Sequence, residues 1–396
     1  MSCYIPFLMS ANACTLASRL YHDAKVVRLP LDGYDKLRPC LSAQQQIWVD
    51  PCIDGLDDLN SRIPGFSRST PWLDSIRSFP EYKSIANPDF QAKPDQSRVD
   101  AFADAVLNAC EKLAPHWITI PQLPLVSDAA RNKINRSLAK ATAKWRQWRR
   151  GKSYRGQLIL PIIFTKSEQT AKGRTPRLKN AVERYADAQA DGFWVVDTSL
   201  NDEEGSVSLR NRRLSAALEL HEELAQVMPS QAISIAGPYW ALNIVLWARG
   251  LVQFPAIGVG TGYHYHLSGM RPDKPSARVA LPPLRRRAVL SPQLNEWLGN
   301  VLAKPSDAHP QEASLKKIRD NFNNLQLQWR EQVAGFYKEW VHSLLAIPSD
   351  SRPMALYKDL SDAYMNGKAM REPLPREEGA TRRPEAIVEP LMLRCL

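Results

Sequence analysis

Eight short apolar runs govern what this chain can fold into. They span residues 25–33, 46–55, 117–126, 157–165, 192–200, 231–240, 254–266 and 277–283, and each is nearly continuous in Val, Ile, Leu and aromatic residues. A strand with one face in water alternates polar and apolar residues. A continuous run is buried on both faces, as in a parallel sheet covered by helices. Stretches with helical periodicity separate the runs. In one, Leu214, Ala217, Leu218, His221, Leu224 and Val227 form a single stripe. Strand followed by helix, eight times over, predicts an α/β fold of the (β/α)8 TIM-like barrel type. A doubly wound open sheet is the alternative, and no Gly-x-Gly-x-x-Gly follows the first run to favour it.

The barrel is expected over residues 1–300, with a long inserted segment, 56–115, after the second strand. Prolines 64, 71, 80, 88 and 94 make the first half of the insertion irregular, while Ser97–Leu113 reads as an amphipathic helix. Residues 301–346 form a C-terminal helical extension: Leu315, Ile318, Phe322, Leu325, Trp329, Val333, Phe336 and Trp340 recur every three or four positions, with a break expected at Gly335. Six prolines in 347–396 suggest an extended tail.

Six cysteines contain no Cys-x-x-Cys pair, which argues against a zinc ribbon and for reduced thiols. The N-terminus lacks the basic segment of a secretory signal. The longest stretch without Asp, Glu, Lys or Arg, Leu224–Ala248, is interrupted by Pro229, Gly237 and Pro238, so no membrane partner is expected. These features describe a cytoplasmic protein.

The formal net charge is +11, and it has one address. Between Ala129 and Ser167 there are eleven Lys and Arg residues and no Asp or Glu. Ile134, Leu138, Ala141, Trp145 and Trp148 form an apolar stripe for packing on the barrel. Arg131, Arg136, Lys140, Lys144, Arg149 and Arg150 are expected on the remaining faces. Such a surface suits nucleic acid or an acidic protein partner, or is simply a solvated helix face.

In a barrel of this type the chemistry uses residues at the C-terminal ends of the strands. These include Asp32, Asp50 with Asp54, Gln122, Thr165, Asp197 with Ser199, Tyr239 with Trp240, and Tyr263, His264 and His266. Asp50 and Asp197 are candidate catalytic carboxylates, or caps of the helices that follow. Gln122, Gly237, Tyr239 and Trp240 are candidate ligand-binding residues, with Tyr239 equally readable as core. Acceptors, an amide and a stacking ring are what a purine edge requires. His264 and His266 point the same way on a strand and could share an ion, with Asp197 the one nearby candidate for a third ligand; the expectation is no metal and no other cofactor.

The segment Ile233–Leu251 resembles part of the tRNA-guanine transglycosylase family. Gly237-Pro238 and Ala248-Arg249-Gly250 carry the likeness, with Gly192–Asp197 placed like the family's base-contacting strand. Asp50, in Trp48-Val-Asp50-Pro51, is placed like its purine-holding aspartate. The likeness covers roughly residues 185–260, with weaker support from 45–55. It implies a barrel that recognises guanine or a 7-deazapurine base, in nucleic acid or in a deazapurine-dependent modification such as anti-phage defence, beside a deazapurine-pathway enzyme. The family's zinc site is missing. Its nucleophilic aspartate is missing too: no Asp or Glu occurs between Glu223 and Asp273. The resemblance therefore implies base recognition with base exchange lost or changed. The alternatives are an unrelated TIM-barrel hydrolase or lyase using Asp50, Asp197 and His264/His266, and a non-catalytic scaffold.

Overall fold

A computed structural model describes residues 3–8, 13–53, 74–125, 129–149, 156–164, 174–197, 200, 207–239, 241–259, 277–304, 312–375 and 381–396. Eight parallel strands close into a barrel: β1 (Ile5–Leu8), β2 (Val26–Pro30), β3 (Gln46–Asp50), β4 (Trp117–Thr119), β5 (Gln157–Phe164), β6 (Gly192–Asp197), β7 (Ile233–Ala236) and β8 (Phe254–Val259). The ring is completed by β8 on β1, with Ile5 opposite Ala256 and Leu8 opposite Val259.

The strand alternation explains the continuous apolar runs. Val27, Leu29, Ile47, Val49, Ile118, Leu158, Leu160, Ile162, Phe193 and Val195 pack outward against helices. Their neighbours Phe7, Val26, Trp48, Trp117, Ile159, Ile163, Trp194, Val196, Ile235 and Ala256 form a separate cluster that fills the barrel lumen. Successive side chains of a strand point to opposite faces, and here both faces are dry.

The helices follow the strands. They are α1 (Ala13–Leu20), α2 (Tyr34–Leu37), α3 (Asp74–Arg77), α4 (Tyr82–Ala86), α5 (Pro88–Ala92), α6 (Gln96–Glu111), α7 (Ala129–Arg149), α8 (Arg174–Asp187), α9 (Val207–Val227) and α10 (Ala241–Ala248), followed by α11 (Pro292–Leu302), α12 (Glu312–Asp320), α13 (Phe322–Leu345), α14 (Arg352–Met370) and α15 (Val388–Met392). No described helix is long and apolar enough to cross a membrane.

Four expectations are corrected. First, the count of eight barrel strands holds but its membership shifts. Ile5–Leu8, four residues interrupted by Pro6, is the first strand. The last run instead supplies β9 (Arg278–Leu281), which pairs antiparallel with β10 (Arg286–Val289) outside the barrel. The insertion consequently follows the third strand. Its described part packs α3–α6 on α7 through a small core of its own, with Ile76, Ile85, Phe102, Val106, Ile134 and Leu138.

Second, the C-terminal extension breaks at Asn321, between α12 and α13, and runs helical through Gly335. Third, residues 352–370 are a helix and not an extended tail. Pro353 lies in the first turn of α14, where its missing N–H is no loss. Arg352 Nε donates to the carbonyls of Leu344 (3.2 Å) and Ile347 (3.0 Å) and its guanidinium stacks 4.7 Å from the Trp247 ring centroid. Leu356, Leu360, Val388 and Leu391 are buried in the main core. Fourth, Cys14 and Cys40 are joined in a disulfide, with Cα atoms 5.5 Å apart.

Gly192 shows how tightly the lumen is filled. A Cβ there would stand 2.6 Å from both the Cβ and the carbonyl oxygen of Ile233. Gly192→Ala is expected to destabilise the fold by about 1–3 kcal/mol in urea denaturation, through overpacking. Gly335→Ala, where a Cβ meets nothing within 4 Å inside α13, is expected to stabilise by about 0.5–1 kcal/mol.

Candidate functional site at the barrel mouth

Arg28 lies at the centre of β2, on the parity that faces the lumen, and is 0% exposed. A bare guanidinium inside a barrel is costly, so its surroundings must answer the charge. Its Nε donates to Asp50 Oδ2 at 2.8 Å, and Nη2 donates to the same oxygen. Three aromatic rings complete the cage, with Arg28 Cζ 4.5 Å from the Phe7 centroid, 4.9 Å from Trp194 and 5.9 Å from Trp48. Ring faces attract a cation, and more strongly where water is excluded. The rings also contact one another edge to face, at 5.3 Å for Phe7–Trp48 and Phe7–Trp194 and 5.6 Å for Trp48–Trp194. Each indole N–H is satisfied, Trp48 by Thr119 Oγ1 at 2.8 Å and Trp194 by the Gly237 carbonyl at 2.5 Å.

Asp50 ends β3 at the C-terminal side of the barrel and is 2% exposed. Its Oδ1 accepts the Cys52 N–H at 2.9 Å, and Cys52 takes a left-handed conformation (φ 55°) to make that turn. The carboxylate is thereby held in a single orientation. Each of its oxygens retains acceptor capacity beyond these bonds.

The other candidates serve different networks. Asp197 ends β6 on the outward parity, and its backbone N–H is accepted by the Tyr239 hydroxyl at 2.5 Å. Tyr239 packs in the helix-facing core, and burial, reinforced by the Asp197 charge, holds its hydroxyl well above the ordinary value. Gln122 lies behind β4. It donates to the Asn135 carbonyl (2.9 Å) and accepts from Arg184 Nη1 (3.3 Å). Arg184 is fully buried and desolvation lowers its pKa to about 10. Asn135 in turn closes two bonds with the Leu123 backbone, both at 2.9 Å. Gly237 has φ +86°, precedes a cis Pro238, and leaves no room for a Cβ beside the Asn243 amide. Asp32 accepts the Ser75 N–H at the start of α3 (3.2 and 3.3 Å to its two oxygens), a capping contact. Of the candidates among the described residues, only Asp50 is thus brought to the lumen as a side chain, and pattern reading passes over its partner Arg28. The signal was present: a single charge in the apolar run Val26-Val-Arg28-Leu-Pro, two residues from an inward Val.

Asp54, Arg150, Thr165, Ser199, Trp240, Tyr263, His264 and His266 lie outside the described residues. Among the described residues no three of His, Cys, Asp or Glu gather as a metal would require.

The basic segment forms α7 as expected, but its charges are largely answered. Arg131 is buried, contrary to its expected surface position. Lying in the first turn, it donates to Gln91 Oε1 and the Pro124 carbonyl, both at 3.1 Å. Arg136 pairs with Glu183 (3.2 Å) and Asp187 (3.3 Å) of α8, and Lys144 with Asp100 of α6 (2.5 Å). Arg146 reaches Asp191 at 2.9 Å. Lys140 is exposed, and of Arg149 only the helical backbone is described. Trp148, expected to pack on the barrel, is 74% exposed.

The chain matches no protein-family model and no curated protein sequence.

His221 of α9 is fully buried, with neither ring nitrogen hydrogen-bonded among the described residues, and burial lowers its pKa to about 3. The unfolded chain binds that proton near pH 6.5, so between pH 6.5 and 3 it holds more protons than the native state. Stability is therefore expected to be complete above about pH 6.5 and to fall as pH drops, by up to about 1.4 kcal/mol per unit from this group. His221→Leu should flatten that slope when denaturation midpoints are compared between pH 7 and 4.5.

Proposed function

We propose that the C-terminal mouth of the barrel recognises a guanine- or 7-deazaguanine-type base, as a transglycosylase-like protein that binds the base without exchanging it. One observation carries this reading: a carboxylate at the inward end of β3 is held in a single orientation by an aromatic-caged guanidinium. The Watson–Crick edge of a guanine-type base offers adjacent N–H donors, and a buried, pre-oriented carboxylate is their complement. Arg28 holds the Asp50 carboxylate aimed, so it is a positioning residue.

Base exchange through a covalent ribosyl intermediate requires a carboxylate nucleophile. Strand β8 and the turn before it, Leu251–Val259, supply none. The competing hydrolase or lyase reading needs Asp50 and Asp197 to share one volume, and their opposite strand parities favour the first reading.

Calorimetry with guanine and 7-cyano-7-deazaguanine tests the proposal. Binding is expected for at least one base, with affinity reduced at least tenfold in the double variant Arg28→Met/Asp50→Asn, which removes both buried charges together. Neither base binding, or equal binding by the variant, overturns it.

Nucleic acid would contact α7 as a surface separate from the base site. Lys140 and Trp148 lie toward the foot of that helix, where Arg146 meets Asp191 before β6, and offer a phosphate contact and a stacking ring. Single-stranded RNA should then bind with an affinity that falls steeply with salt, and Lys140→Glu with Trp148→Ala should weaken it about tenfold or more. Unchanged binding by that pair would remove nucleic acid from the proposal.

A further inference from the structure

The opposite, N-terminal mouth of the barrel holds a cavity of about 650 Å³. Residues at the starts of six of the eight strands line it, and the active-site rule for such barrels assigns this end no role. Its lining is unusual for a barrel floor. Gln46 shares the inward parity of Trp48 and Asp50, and Gln157 that of Ile159, so two amides occupy the lowest layer of the lumen. Gln253, just before β8, adds a third at the rim. None of these three side-chain amides makes a hydrogen bond with another described residue. Trp117 and Phe254, in contact at 6.0 Å, form the apolar floor between them.

His116 contributes a directed donor. Its Nδ1 accepts the Ile47 N–H at 3.3 Å, which places the proton of the neutral ring on Nε2. Lys25 and Glu111 stand at the rim with opposite charges, so the opening carries no net charge. The set is therefore neutral amides, one imidazole N–H and two aromatic rings. Each amide offers two donors and an acceptor, which matches hydroxyl groups, whereas the rings match the C–H faces of a saturated ring. The volume lies within the range of small-molecule sites.

We propose that this N-terminal mouth is a binding site for a neutral, polyhydroxylated ligand of monosaccharide size, held by Gln46, Gln157, Gln253 and His116 over Trp117 and Phe254. The site is independent of the Arg28–Asp50 centre, from which the Trp48 and Trp194 layer separates it.

The test is saturation-transfer NMR on the full chain with D-glucose, D-ribose and myo-inositol as probes at millimolar concentration. Transfer to the ring protons of at least one probe is expected. It should fall at least fivefold in Gln46→Leu/Gln157→Leu and persist in Arg28→Met/Asp50→Asn. Should the Leu pair fail to fold by thermal melt, the rim variant Gln253→Ala, on an exposed side chain, is expected to lower transfer at least twofold. No transfer to any probe in the wild type overturns the proposal, as does transfer unaffected by the folded variants.

Discussion

The Arg28–Asp50 ion pair is the constraint around which the barrel interior is arranged. A guanidinium buried at 0% exposure needs a counter-charge, and a carboxylate buried at 2% needs donors. Each supplies what the other lacks, and the remaining solvation comes from rings and not from water. Phe7, Trp48 and Trp194 come from three different strands, and all three face the same cation. The lumen is thus a polar centre inside an aromatic cage, where a purely aliphatic filling would have been simpler. Neutral replacement of a buried pair is often harmless to stability, whereas removal of one partner strands a charge. That asymmetry makes the pair a positioning device, and it gives the mouth above β3 a carboxylate with a defined direction.

The same layer divides the lumen into two chemically different ends. Above it stands an anion whose neighbours hold it in place. Below it stand three amides without hydrogen-bond partners among the described residues and a donating imidazole, open to a cavity. Ion pairs from α7 bind the outer helices together. Arg136, Lys144 and Arg146 join α7 to carboxylates on both sides, so these charges of the basic segment hold the barrel's outer ring.

The barrel was legible because a parallel sheet buried on both faces leaves an unmistakable continuous apolar run. The first strand was not, because Ile5–Leu8 is four residues long and carries a proline, too short to register as a run. The hairpin Arg278–Val289 has a similar composition to a barrel strand, and only its antiparallel partner tells them apart. Asp50 was legible from its place at the end of a run. Its partner required the strand parity of Arg28, which pattern reading passes over when a single charge interrupts an apolar stretch. Asp197 closes β6, whereas Gln122 and Tyr239 come three residues after β4 and β7, and a side chain's direction there depends on parity and on the following turn. The α14 helix was obscured by its prolines, which stand at a turn and in a helix's first turn, the positions where proline does no harm.

A double-mutant cycle on Arg28→Met and Asp50→Asn, read by urea denaturation, tests the central claim most directly. Each single variant strands one buried polar or charged partner and is expected to cost about 3–5 kcal/mol. The double variant should cost at least about 2 kcal/mol less than the sum, because neither charge is then left alone. Additive losses would mean that the two side chains do not depend on each other, and would contradict the account.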